Sequence, residues 1–220
     1  MNELKKGVKM IRYAYGIKST CIQAGFFFLS GLILTVTGDG GDFGSLGGFF
    51  WICIGLLPLQ LLYSLSVSNM VLASPMRKKM QTVVPTAVNA ASMVVIYLAE
   101  VLVCGLLERR NPQQAGELYL NLVVLAMSQV FLMVYSGLCY KHFVLATLLF
   151  IPVMVNWMWE GWGNRMHIWL QGLDMTFGRA VLTGFCLIAA GILAEYLLTL
   201  LFYRSPMAKM AQALPLRKAL

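Results

Sequence analysis

Residues 72–85 read LASPMRKKMQTVVP, and three adjacent cations, Arg77, Lys78 and Lys79, stand there between two long apolar runs. The runs, near 48–70 and 84–107, are each long enough to cross a bilayer, which takes about 20 apolar residues as a helix. A basic cluster fixed between two such runs reads as an elbow at a membrane surface. Ser74 suits a helix cap, and Pro75 suits a first turn, where its missing N–H is not needed. Pro85 favours a break before the run that follows. The spacing predicts a short helix of about two turns between two membrane helices. Its cations lie near the positive end of its own dipole, which is unfavourable by about a few tenths of a kcal/mol each. An anionic partner is therefore expected, either the lipid headgroup layer or an acidic or polar groove on another protein. A reduced echo, SPMAKM, follows at 205–210. The runs before the two copies share no pattern, so no duplication is inferred.

Working outward, apolar types make up 59% of the 220 residues and charged types 12%, against roughly a quarter charged in a soluble domain. The mean hydropathy is +0.74. One soluble core of this size cannot hide that much apolar surface, so lipid is the expected solvent. Six segments qualify as spans: 20–37, 48–70, 84–107, 118–139, 143–159 and 179–202. The fifth is short and carries Pro152, which predicts a kink or break. No short apolar core with a small-residue cleavage site opens the chain, so insertion is expected to use retained spans. The expected organisation is a single all-α transmembrane domain over 1–220. It has an amphipathic interfacial helix at 1–19, a six-helix bundle at 20–202 and a cytosolic tail at 203–220.

The net charge of +8 would in a soluble chain point to nucleic acid. Here the cations cluster at the ends of apolar runs and serve orientation instead. Thirteen Lys and Arg fall before span one, after spans two and four, and in the tail, whereas Arg109, Arg110, Arg165 and Arg179 fall on the other side. That asymmetry predicts cytosolic termini. At the start, Leu4, Val8, Ile11 and Tyr15 share a helical face, which predicts a helix lying along the inner leaflet. Outside, residues 38–48 (GDGGDFGSLGG) read as a flexible loop without a calcium-ligand spacing, and 108–117 as a polar turn. Residues 160–178 (EGWGNRMHIWLQGLDMTFG) carry helical apolar spacing and interfacial tryptophans, either an interfacial helix or a plain aromatic belt.

The chemistry-bearing motifs are few. No Walker A loop, G-x-S-x-G or H-E-x-x-H occurs, and His142 and His167 are expected on opposite sides of the membrane. An intramembrane enzyme is poorly supported. The five cysteines lie in apolar runs without CxxC spacing and read as small buried hydrophobes. Glu100 and Glu195 fall inside spans three and six, where a charge at the centre costs about 2.5–3.5 kcal/mol on insertion scales. Each either bonds a neighbouring helix, through residues such as Asn89, Asn121, Gln129 or Asn156, or marks a polar point on a substrate or proton path. The small pairs Ala87/Ala91 and Ala190/Ala194 would allow close helix contacts.

This order of parts resembles the membrane subunit of type-2 ATP-binding-cassette exporters. The local mark is the stretch VLASPMRKKMQTVVP at 71–85, similar to the Ser-Pro-basic stretch before the third span of those permeases. The resemblance implies that Ser74, Pro75, Met76, Arg77, Lys78, Lys79 and Met80 form a coupling helix docking on a separate ATPase. It implies that residues 1–18 are a connecting helix and 160–178 outer re-entrant helices. The chain would bind no cofactor itself, with ATP and Mg on the ATPase, and would pair with a second permease copy or a related chain in the bacterial cytoplasmic membrane. The cargo would be hydrophobic or amphipathic. The alternative is a self-contained carrier or substrate-capture module using Glu100 or Glu195.

Overall fold

Apolar residues run without a broad polar face along most of the chain. In the computed structural model this pattern gives helices throughout the described residues, 17–37, 47–66, 75, 77–139, 141–158 and 175–205. The order is α1 (Ile17–Thr37), α2 (Gly48–Ser66), α3 (Arg77–Gln81), α4 (Val83–Arg110), a 3-10 turn (Pro112–Gln114), α5 (Ala115–Cys139), α6 (Phe143–Met158) and α7 (Phe177–Leu201). The sequence predicts six crossing segments, and each coincides with one of these helices. Four stretches are long and apolar enough to cross a membrane: Ile17–Thr35, Arg77–Arg110, Pro112–Cys139 and Phe177–Leu201. At 1.5 Å per residue the 16-residue α6 reaches about 24 Å, short of a hydrocarbon core of about 30 Å. It remains helical on both sides of Pro152.

Side-chain pairings fix the directions. Asn89 meets Ser136 and Gln129 meets Glu100, so α4 and α5 run antiparallel. Asn89 meets Glu195, and Tyr97 meets Ala180 and Val181, so α4 and α7 also run antiparallel. α5 and α7 are therefore parallel and pack along their length. The chain between them has to double back, and α6 does so: Tyr135 faces Phe150 with ring centroids 4.6 Å apart, and Leu138 and Cys139 pack on Ala146. α1 and α2 form an antiparallel hairpin in which Phe28 stacks on Trp51 and Phe27 contacts Phe50.

The polarity of this bundle is inverted relative to a soluble one. On α4, Asn89, Met93, Tyr97, Glu100 and Cys104 face inward and are buried. Val95, Leu98, Leu102 and Leu106 form the opposite face and are exposed, Leu102 at 70%. On α7, Gly184, Gly191, Glu195 and Thr199 are buried while Leu182, Leu193, Leu197 and Leu201 are exposed. In water such faces would associate or collapse. In hydrocarbon they cost nothing, and polar side chains gain by turning to one another.

Three expectations need correcting. The polar turn expected at 108–117 shrinks to Asn111 and the 3-10 turn, because α4 continues to Arg110 and α5 starts at Ala115. Tyr119 holds the two helix ends together by donating to Glu108 Oε1 at 2.5 Å. The alanine pairs do not make the close contacts: Ala91 and Ala190 are exposed. Those contacts fall on glycines, where Gly184 abuts Tyr97, Gly191 abuts Met133 and Gly137 abuts Glu195 and Leu198. The inward polar residues Asn89 and Glu195 set which face of each helix is turned in. All five cysteines are free, but Cys21 and Cys186 are exposed rather than buried. The expected N-terminal helix to residue 16, the outer segments 38–46 and 160–174, and the tail from 206 lie outside the described residues.

Candidate functional site

Two sets of residues stand apart from the apolar background. The first is a polar seam along the inner faces of α4, α5 and α7. Asn89 and Glu100 are 11 residues apart on α4, close to three turns, and Gln129 and Ser136 are seven apart on α5, close to two turns. Both spacings return to one helix face. Glu195 sits at the level of Asn89. Ser136 Oγ donates to Glu195 Oε1 at 2.5 Å, and Asn89 Nδ2 donates to Glu195 Oε2 at 2.9 Å. Asn89 Nδ2 also lies 3.1 Å from Ser136 Oγ. Further along, Gln129 Nε2 donates to Glu100 Oε2 at 3.0 Å. Both carboxyl groups are fully buried. The two ends of the seam differ in satisfaction. Each oxygen of Glu195 has a donor, whereas Glu100 Oε1 and Gln129 Oε1 have none.

The seam thus joins Glu100 to Gln129 and Glu195 to Asn89, both pairings within the expected set. It adds Ser136, which the sequence reading does not single out. The side chain of Asn156 lies outside the described residues. Tyr97 belongs to the same inner face, with its hydroxyl 3.2 Å from Val181 O. Among the described residues no group of His, Cys, Asp or Glu could hold a metal ion.

The second set lies where α4 begins. Of the predicted coupling element, Ser74 and Met76 lie outside the described residues, and Pro75 is an exposed turn residue. Arg77, Lys78 and Lys79 are exposed on α3, while Met80, Gln81 and Thr82 beneath them are buried. The five-residue helix is thus amphipathic, with cations outward and its last residues against the bundle. Its end is tied to α4 by two side-chain bonds one turn apart: Thr82 Oγ1 donates to Lys78 O at 2.7 Å, and Thr86 Oγ1 to Thr82 O at 2.9 Å. The break in the helix falls at Thr82, and Pro85 sits in the first turn of α4, where it breaks no hydrogen bond.

Two elements distant in sequence close on α3 from behind. Lys141, between α5 and α6, donates to Gln81 Oε1 at 3.4 Å. Tyr203, just past α7, lies with its ring centroid 5.9 Å from Lys78 Nζ and 6.0 Å from Lys141 Nζ. Beside them His142 meets Phe202 edge to face at 4.8 Å. Arg204 adds a further cation at this end. At the opposite end, where α4 stops, lie Arg109 and Arg110 with Glu108 and Glu117. The described acids are therefore absent from the α3 end.

Fold and site together describe a helical bundle with lipid-facing flanks, a polar interior seam and one basic end. No family model, curated protein or solved structure matches the chain.

Proposed function

We propose that this chain is the permease subunit of a type-2 ATP-binding-cassette exporter. It crosses the membrane six times and carries a hydrophobic or amphipathic substrate out of the cytoplasm. A separate ATPase subunit, holding ATP and Mg, supplies the energy, and a second permease subunit completes the pathway. The observation that carries this reading is α3. A short helix with Arg77, Lys78 and Lys79 exposed is fixed by its buried end to α4 and to the α5–α6 link, and Lys78 itself lies over Tyr203 at the end of α7. A push on such an element is delivered to three helices at once, because packed interfaces shift between discrete arrangements rather than deform smoothly. The residues lining the seam lie in the path of that motion. Net positive charge at the α3 end supports a cytoplasmic location for it.

Affinity purification from the native host in mild detergent tests the partner. The wild-type chain is expected to bring down vanadate-sensitive ATP hydrolysis, and the triple variant Arg77→Glu, Lys78→Glu, Lys79→Glu to lose most of it while the bundle remains folded. Undiminished ATPase recovery with the triple variant removes the docking role. Sidedness is tested separately. In a cysteine-free background, Lys78→Cys should react with an impermeant maleimide in inverted vesicles and not in intact cells. Labelling from outside reverses the orientation.

A second reading has its own support in the unpartnered Glu100 Oε1. A buried acid with a free oxygen suits a self-contained carrier that binds a proton or a cationic substrate. Collapse of the membrane potential and pH gradient separates the two. A carrier stops, whereas an ATP-driven permease continues while ATP lasts.

A further inference from the structure

Lys141 is only 6% exposed, and its ammonium carries three donors. Its described partners are one neutral amide oxygen at 3.4 Å and the face of Tyr203. A buried cation normally has a carboxylate or several strong acceptors. The described acids are elsewhere: Glu100 and Glu195 lie in the seam, and Glu108 and Glu117 at the far end of α4. Arg77 stands near enough to act on its charge, and Lys78 shares the Tyr203 ring. Burial, and then the charge of Arg77, holds the Lys141 amine below its ordinary lysine range. A captured anion would reverse that direction.

The depth of the cluster is set by its neighbours. Val144 and Leu145, three and four residues beyond Lys141, are exposed apolar side chains, as are Leu200 and Leu201 just before Tyr203. The cluster therefore sits where the lipid-facing surface ends, and a tyrosine ring suits the headgroup layer there.

We propose that Lys78 and Lys141, converging on Tyr203 behind α3, bind the phosphate of an anionic lipid headgroup. The free oxygens of a phosphodiester accept from ammonium groups, in the manner of lysine point-charge recognition. Lys141, at 6% exposure, is out of reach of a flat protein surface, and a small phosphate on a flexible glycerol suits it better. The bound lipid would add contacts to α3, the α5–α6 link and the end of α7, and so stiffen the basic end. The inference needs only the bilayer placement of the bundle and stands whether or not an ATPase docks.

The test uses the full chain in nanodiscs holding equal phosphatidylglycerol and phosphatidylcholine, with retained lipid read by native mass spectrometry after extraction. Wild type should retain phosphatidylglycerol selectively. Lys78→Gln and Lys141→Gln should each weaken retention about five-fold, the effect of one cation near a membrane surface. The pair Arg109→Gln, Arg110→Gln at the other end should leave it unchanged. Equal retention of the two lipids, no loss in either lysine variant, or equal loss in the Arg109/Arg110 pair overturns the proposal. Competition by inorganic phosphate or glycerol phosphate at the same occupancy overturns the lipid source and identifies a soluble phosphate instead. Lys78 is exposed, so Lys78→Gln decides the matter even if Lys141→Gln fails to fold.

Discussion

Gly184→Ala lowers the stability of the bundle, although helix propensity alone predicts the reverse. In a helix interior alanine is better than glycine by about 0.8–1.0 kcal/mol. At Gly184, however, a Cβ would overlap the Oη and Cζ atoms of Tyr97 on α4. Tyr97 is fully buried, and Phe185 lies edge-on against it with centroids 5.1 Å apart. The ring therefore has no vacant space to enter. Either α4 and α7 separate, or Tyr97 leaves and gives up its bonds to Ala180 O and Val181 O. Overpacking of this kind costs about 1–3 kcal/mol, and the lost hydrogen bond adds about 1 kcal/mol. The sum exceeds the propensity gain by about two- to fivefold. Unfolding in mixed detergent and SDS should show a lower midpoint for Gly184→Ala. Gly25→Ala, where a Cβ meets nothing within 4 Å, should show none of this loss. Tyr97→Leu should restore much of the stability in the double variant, giving a large coupling energy. A Gly184→Ala protein as stable as Gly25→Ala would mean that α4 and α7 do not pack through this contact.

Such contacts mark the boundary of what the sequence makes legible. The helices are readable because lipid imposes a minimum apolar run, and 84–107 against Val83–Arg110 differs by one residue at the start and otherwise at the charged end. Hydropathy drops at Glu108, but backbone hydrogen bonding does not, so the helix continues past the apolar segment. The partners of the two acids are half legible. Asn89 and Gln129 are conspicuous because an amide inside a span needs a reason. Ser136 is not, because serine in a membrane helix commonly bonds its own preceding turn, as Ser136 also does with Met133 O. The Lys78–Lys141–Tyr203 convergence is not legible at all. Its members lie on three elements separated by about 60 residues each, and no local period connects them. Lys141 counts in the sequence only as one more cation of a loop. The inward-facing glycines of α7 escape for a related reason: spacing shows that small residues recur, and only the neighbouring helix decides which face they serve.

The largest separation of structural from functional roles is expected at Glu195. Its two oxygens are held by Ser136 and Asn89, so Glu195→Leu removes an acceptor that two buried donors share. Ser136 retains the carbonyl of Met133, 3.0 Å away. Asn89 is left with Ser136 Oγ alone for its amide donors, while its Oδ1 is already without a partner. An unsatisfied buried polar group costs about 1–3 kcal/mol, so Glu195→Leu should unfold at lower SDS than wild type. The triple variant Asn89→Leu, Ser136→Ala, Glu195→Leu removes every member of the group. Apolar replacement of a complete buried polar cluster is often neutral or stabilising, and the triple should recover to within about 1 kcal/mol of wild type on that principle. If the seam serves only to join helices, the recovered protein also recovers its activity. If the seam lies on the pathway, the triple variant is stable and inactive, because an apolar interior offers a polar substrate group or proton no place to bind. On the proposed reading, ATP hydrolysis by a partner ATPase then continues in the absence of transport, since α3 and its attachments are untouched. A triple variant less stable than Glu195→Leu would show that the group contributes packing which leucine and alanine cannot reproduce, and the seam would then count as structural.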